Sequence, residues 1–139
     1  MKLRLLLAHY AEVQAGMLYL LGTGWTEIGP DPSAFAIAGL VEVPWDETNR
    51  QHELDITIVD ADDQPFTHPT PTGDQPFHVN AKVEAGRPPG ARVGRSFSIP
   101  LALNFPPMQF RPGTDYVVRG VINGVQLDAV AFVSRPAKP

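Results

Sequence analysis

The run PGTDYVVRGVINGVQLDAVAFV, residues 112–133, decides the fold class of this chain. Asn123-Gly124 lies between two β-rich segments, and this dipeptide supplies the two positive-φ residues that a type I′ turn requires. A type I′ turn also matches the right-handed twist of the strands that it joins. The run therefore predicts an antiparallel hairpin near the C-terminal end of the chain.

A two-residue loop at Asn123-Gly124 fixes the register of the predicted hairpin. One face pairs Ile122 with Val125, Gly120 with Leu127, Val118 with Ala129 and Tyr116 with Ala131. The other face pairs Arg119 with Asp128 and Val117 with Val130. The first of these two pairs is oppositely charged and the second is apolar, so both are favourable cross-strand neighbours.

The residues before the hairpin indicate the architecture. Pro112-Gly113-Thr114-Asp115-Tyr116 is typical of the corner by which immunoglobulin-like and fibronectin-type sandwiches enter a central strand, where a buried tyrosine bonds back to earlier backbone. Upstream, apolar runs that alternate with polar residues are separated by turns rich in the 15 prolines and 12 glycines. We predict an all-β fold, a single antiparallel β-sandwich domain over residues 1–139 with seven to nine strands and an immunoglobulin/fibronectin-like Greek key.

The amino-acid composition limits the kinds of site and the cellular location that we expect for the chain. The chain has no cysteine, which excludes disulfides, thiolate metal sites and cysteine nucleophiles. The apolar run at residues 5–8 is too short for the core of a signal peptide, and no run approaches the roughly 18 apolar residues of a membrane span. We expect a soluble, cytoplasmic protein with no membrane partner.

The first strands differ from the later ones. Residues 3–8, 17–21 and 34–40 are apolar on both faces, whereas later runs alternate as strands with one wet face do. A loop of the same chain or another subunit should cover the second apolar face, and we favour a subunit.

Charge is also unevenly distributed along the chain: three basic and twelve acidic residues give −9 over residues 1–75, and eight basic and three acidic residues give +5 over residues 76–139. The charge asymmetry indicates either an acidic face that meets a basic one, within a monomer or between copies, or charges that Greek-key connections distribute over both sheets. The apolar first strands predict a homo-oligomer that forms through the N-terminal strands.

No motif in the chain predicts catalysis, a cofactor or a metal site. Asp60, Asp62 and Asp63 are close in sequence but lack the spacing and glycine of a calcium loop, so we interpret them as a solvated turn. The four histidines have no spacing that makes them converge on zinc, and no serine lies in a nucleophile elbow. We expect a protein that is not an enzyme.

Two tryptophans and two polar loops are the candidate binding residues. Tryptophan is enriched at binding hot spots, although the core of a sandwich also uses one, so we assign one of the two to the core and one to the surface. The loops at residues 44–50 and 86–95 are charged, but the second lacks the aromatic residues that nucleic-acid binding favours. The candidates are Trp25, Trp45, Asp46, Arg50, Arg87 and Arg92.

Several motifs together resemble a known family. They are LLAHYAEVQAGMLYLLGTGWT (residues 6–26), VEVPWDETNR (41–50), ITIVDADDQP (56–65), AGRPPG (85–90), IPLALNFPP (99–107) and the closing PGTDY…INGV…AFVS. The resemblance is to small bacterial β-sandwich proteins known only as a domain of unknown function. It implies a fold and a bacterial origin, and it carries no site residues. Where that family has an Asp-Gly or Asp-x-Gly turn, this chain has Asp62-Asp63-Gln64.

Three hypotheses about function follow. The first is a non-enzymatic sandwich that acts through protein–protein contact and associates with itself. The second is a virion or surface-assembly component of phage type. The third is a small-ligand-binding or hydrolytic domain whose site lies in the sandwich loops, in a pocket ringed by Trp25, Trp45 and acidic residues. Charging Ala36 and Leu40 should break the oligomer and leave the fold intact under the first hypothesis.

Overall fold

A computed structural model describes residues 1–137. This part of the chain is all-β and contains one short 3-10 turn, η1 at Trp45–Glu47, and no α-helix. The predicted number of strands was too low, because several short strands lie in stretches that read as loops. The strands are β1 Lys2–Ala8, β2 Tyr10–Gln14, β3 Met17–Leu21, β4 Glu27–Ile28, β5 Phe35–Val43, β6 His52–Asp60, β7 Thr67–Thr70, β8 Gly73–Pro76, β9 His78–Val83, β10 Phe97–Phe105, β11 Asp115–Ile122 and β12 Val125–Ser134.

The strands form two larger sheets and two separate hairpins. One sheet has the order β1-β5-β10, and the other has the order β4-β12-β11-β6-β9. The hairpins are β2-β3 and β7-β8. Every pairing between strands is antiparallel except the short contact of β4 with β12, which is parallel.

Both larger sheets contribute side chains to one apolar cluster. Alternate residues of β1 and β5 supply one side, and alternate residues of β6 and β11 supply the other, as the period of two in a strand requires. Burial of these side chains is the main favourable term in folding. The central members are Leu3, Leu5, Leu7, Ile37, Val41, Val43, Leu54, Ile56, Ile58, Tyr116, Val118 and Ile122.

The predicted C-terminal hairpin is present with a different register. Asn123 and Gly124 have φ values of 51° and 81°, as a type I′ turn requires, and Ile122 faces Val125. A bulge between Gly120 and Val121 then shifts every later pair by one residue. The predicted pairs Gly120–Leu127, Val118–Ala129, Tyr116–Ala131, Arg119–Asp128 and Val117–Val130 are therefore wrong. Their replacements are Gly120–Asp128, Arg119–Ala129, Val118–Val130, Val117–Ala131 and Tyr116–Phe132.

The tyrosine corner is confirmed. Tyr116 is buried, and its hydroxyl accepts a hydrogen bond from the Arg111 backbone N–H at 3.0 Å. The ring also packs against Phe66, Phe110 and Phe132, with centroid separations of 5.2 to 5.8 Å. This contact fixes the entry of β11 into the centre of its sheet.

The second apolar face is covered in part by the chain itself. The β2-β3 hairpin packs on the outer face of the β1-β5-β10 sheet, where small side chains permit close approach. Asn104 of β10 fastens the hairpin, because its side-chain amide accepts from the Ala11 N–H at 3.0 Å and donates to the Ala11 carbonyl at 2.8 Å. The cluster between the two layers contains Ala8, Ala11, Ala36, Ala38, Leu18, Leu20 and Ala102. Ala36 therefore lies inside the monomer rather than on a free surface.

No helix in residues 1–137 is both long enough and apolar enough to cross a membrane.

Candidate functional site

Trp45 and Arg87 meet at one end of the molecule. The 3-10 turn carries Trp45, and the Arg87 guanidinium lies 3.9 Å from the centroid of its ring, a cation–π distance. Arg87 Nε donates to Thr48 Oγ1 at 2.7 Å, and Arg87 Nη2 donates to the Trp45 carbonyl at 2.6 Å. Arg87 therefore holds the loop at residues 86–95 against the 3-10 turn.

This stack extends onto strand β10. Trp45 stacks on Phe97 with a centroid separation of 6.3 Å, and the Arg95 guanidinium lies 5.1 Å from the Phe97 centroid. Cations thus flank two aromatic rings, an arrangement that we call the Trp45 stack: Arg87, Trp45, Phe97 and Arg95. The basic residues of this loop contact aromatic side chains of their own chain.

The remaining candidates in these two loops are exposed. Asp46 and Arg92 lie on the surface, and Arg50 forms an ion pair with Glu47 on the same loop. Pro44 occupies the position before the 3-10 turn, and no side chain caps the turn. The structure brings Trp45, Arg50 and Arg87 to one region, with Asp46 beside them.

Trp25 belongs to a different region. Its ring packs against the core, 5.8 Å from the Phe132 centroid and 6.3 Å from the His9 centroid. Phe132 lies near the end of β12. Trp45 lies near the beginning of β12, because Glu47 of the same 3-10 turn contacts His52, and His52 also contacts Asn123 in the turn that precedes β12. The two tryptophans therefore lie at opposite ends of the molecule, with Trp25 against the core and Trp45 near the surface.

The acidic turn at residues 60–64 is an internally bonded turn. Asp60 Oδ1 accepts from the N–H groups of Asp62 and Gln64 at 2.9 and 3.0 Å, and Asp63 pairs with Arg119. Asp63 has a φ of 60° and takes the left-handed position that glycine favours in such turns. Within residues 1–137, no group of three or more histidine and acidic side chains is arranged to hold a metal ion.

A polar network lies on the outer face of β6 and β9. Asp55 Oδ1 accepts from the Asn80 side-chain amide at 2.8 Å and contacts His78 Nε2 at 2.7 Å. These contacts, Asn80 first and His78 second, lower the pKa of Asp55. All of these side chains lie on the solvent-exposed face of the sheet. The alternation of polar and apolar residues in β9 predicts this position for His78.

The outer face of the β2-β3 hairpin was predicted only in part, because residues 17–21 were predicted to be apolar on both faces but residues 10–14 were not assigned to a strand. Four large apolar side chains project from it: Tyr10 is 45% exposed, Met17 55%, Tyr19 51% and Leu21 65%. Tyr10 lies directly opposite Leu21, and Tyr19 lies opposite Glu12. The available signal was the alternation in MLYLL, in which Leu18 and Leu20 point inward and their neighbours point out.

Beside the hairpin, part of the outer face of the β1-β5-β10 sheet is open. It forms a groove of about 310 Å³ lined by Lys2, Arg4, Leu40, Glu42, Ser96, Phe97 and Ser98. Lys2 Nζ lies 3.6 Å from a carboxylate oxygen of Glu42, and both side chains are largely exposed. The groove thus combines an apolar floor at Leu40 with basic side chains at one side.

A family model matches residues 3–133, which is nearly the whole chain. The chain belongs to DUF6941, a family of unknown function. Membership in DUF6941 confirms the resemblance to an uncharacterised family. No curated protein and no solved structure matches the chain.

Proposed function

We propose that this DUF6941 protein acts through protein–protein contact, without catalysis, and that it associates with a second copy of itself through the N-terminal strands. The observation that carries the proposal is the outer face of the β2-β3 hairpin. Tyr10, Met17, Tyr19 and Leu21 form one contiguous exposed group on it. Contiguous exposed apolar surface on a folded domain usually marks an interaction site.

The residue types on this face support a protein partner. Tyrosine and methionine are enriched in the cores of protein interfaces, where tyrosine combines a large apolar ring with a hydroxyl. The hairpin is also held rigidly by the two hydrogen bonds between Asn104 and Ala11. A rigid surface loses little conformational entropy on binding, which favours affinity.

The mass of the protein in solution tests this proposal. We expect light scattering to show a dimer or a larger assembly that persists at high salt, because an apolar interface is not screened. Leu21→Lys should shift the assembly to the monomer. Glu53→Lys is the control, since Glu53 is exposed on the outer face of β6 in the other sheet. A wild-type monomer at both salt concentrations would overturn self-association.

We also propose that the two sheets form an immunoglobulin-like Greek key. The order β12-β11-β6-β9 in one sheet faces β1-β5-β10 in the other, β4 runs parallel to β12, and Tyr116 makes the corner contact. An experimental structure tests this directly. Strand β4 paired with a strand other than β12 would contradict the assignment.

We propose a cytoplasmic location for the protein. A chain without cysteine is suited to a reducing compartment, where disulfides do not contribute to stability. Fractionation of the native host, with antibody detection, tests the location. Recovery in the exported or membrane fraction would overturn it.

A further inference from the structure

The outer face of the β1-β5-β10 sheet is divided into two halves. Its side chains form four rows across the strands: Lys2–Glu42–Ser98, Arg4–Leu40–Pro100, Leu6–Ala38–Ala102 and Ala8–Ala36–Asn104. The β2-β3 hairpin packs on the alanines of the last two rows, which we call the covered half, and Leu6 at the edge of this half stays 38% exposed. The first two rows line the groove and form the open half.

This division places a projection next to a depression. A packed second layer of strands stands roughly 10 Å above the sheet beneath it. The hairpin is therefore a raised block on the covered half, and the open half lies a step below. A two-fold dimer uses the same patch on both subunits, so a patch that holds a projection and a groove side by side can match itself.

The charges of the two halves are complementary. Glu12 lies on the outer face of the hairpin, opposite Tyr19, and its carboxylate is contacted by the neutral Gln14 amide. Arg4 lies in the open half, opposite Leu40. Among the ion pairs that residues 1–137 form with one another, none includes Glu12 or Arg4. Within residues 1–137, the projection thus offers an acid without a cationic partner, and the groove offers a base without an anionic partner.

The apolar side chains of the hairpin and of the open half are also complementary. The exposed rings of Tyr10 and Tyr19 need an apolar surface, and Leu40 with Pro100 provides one in the open half. An arginine next to this floor can also stack on a tyrosine ring, which lysine does less well.

From these matches we infer that the protein forms a reciprocal two-fold dimer in which each hairpin docks into the open half of the other copy. Glu12 of one subunit then faces the partner's Arg4, and the pair occurs twice. This inference rests on the self-association proposed above and specifies its geometry.

Charge reversal tests the geometry. Glu12→Arg and Arg4→Glu should each raise the dimer dissociation constant by more than about tenfold, because like charges then meet at two places in the interface. An equimolar mixture of the two variants should form a heterodimer with nearly wild-type affinity, since every contact in it joins opposite charges. The chain with both reversals should likewise dimerise with itself. Glu53→Arg, on the outer face of the other sheet, is the control and should leave the dissociation constant unchanged.

Sedimentation equilibrium on each chain and on the mixture measures these constants, and circular dichroism confirms that each variant is folded. A wild-type monomer would overturn both self-association and this geometry. A wild-type dimer that both reversals leave intact would overturn the geometry alone. Two weakened variants whose mixture does not recover would also overturn it, because reciprocal pairing requires recovery.

Discussion

The Asp128 carboxylate accepts a hydrogen bond from the Leu5 backbone N–H at 2.7 Å, across 123 residues of sequence. Leu5 belongs to β1, which lies at the edge of its sheet, and Asp128 belongs to β12 of the other sheet. The bulge after Gly120 places Asp128 opposite Gly120 and makes this contact available. An edge N–H thereby finds a partner, and the two sheets are joined where their edges meet.

Asp128→Ala should destabilise the fold. The Leu5 N–H would lose a charged acceptor in a partly buried position, which costs about 1 to 3 kcal/mol in the free energy of unfolding. Urea denaturation should show a lower midpoint with an unchanged slope. Asp74→Ala removes an exposed carboxylate elsewhere and should leave the midpoint in place. Equal midpoints for the two variants would show that the Leu5 contact contributes nothing.

Leu3 and Leu5 leave little room for a side chain at position 120. A Cβ at Gly120 would collide with Leu3 Cδ2 and lie 3.0 Å from Leu5 Cδ1, and both leucines are buried. Gly120→Ala should therefore cost about 1 to 3 kcal/mol through overpacking. Gly86 has open space around its Cβ position and no positive φ, so Gly86→Ala is the control. If Leu3→Ala is added, part of the loss at Gly120→Ala should be recovered in a double-mutant cycle.

The residues of this hairpin show how far sequence reasoning reaches. Asn123-Gly124 specifies its turn locally, so the turn and the Ile122–Val125 pair were predictable. The bulge lies beside Gly120, which packs against Leu3 and Leu5 of a strand remote in sequence, and pairing rules within one hairpin take no account of such remote neighbours. The predicted Arg119–Asp128 pair was chemically reasonable, yet each residue has a remote partner instead, Asp63 and Leu5.

The candidate site shows the same limit. The two loops with Trp45 and Arg87 were identified from composition, but their contact depends on how residues 44–50 and 86–95 meet in space. Residues 17–21 were predicted to be apolar on both faces, but the sequence reasoning assigned no strand to residues 10–14. Pairing with β3 makes residues 10–14 a strand, and this pairing adds Tyr10 and Glu12 to the outer face of the hairpin.

Acidification should reveal the contribution of Asp55. Asn80 and His78 lower its pKa in the folded state, so the ionised form stabilises the fold. This contribution is present above the ordinary aspartate pKa of about 4 and is lost as the pH falls through the lower folded value. The difference in unfolding free energy between wild type and Asp55→Asn should therefore shrink on acidification. A difference for Asp55→Asn that does not change with pH would contradict the assignment.

The Trp45 stack should hold the loop at residues 86–95 in place. Arg87→Ala removes the cation over Trp45 and both hydrogen bonds to the 3-10 turn. We expect trypsin to cleave after Arg92 and Arg95 several-fold faster, since cleavage follows local opening. Arg87→Lys should not restore protection, because a lysine ammonium does not reproduce the planar, two-point contact. Arg111→Ala, an exposed arginine outside the loop, should leave the cleavage rate unchanged.

The division of the outer sheet face predicts different outcomes at two neighbouring positions of β5. Ala36 is fully buried under the hairpin, whereas Leu40 lies in the open half and is partly exposed. Ala36→Asp should expel the hairpin, because an unpaired carboxylate cannot be buried without a large cost, and amide exchange in residues 10–21 should rise. Leu40→Asp should leave exchange there unchanged and weaken self-association alone. The burial of Ala36 contradicts the expectation that charging this residue spares the fold, whereas for Leu40 that expectation stays a prediction. Similar amide exchange in the two variants would show that the hairpin does not depend on Ala36.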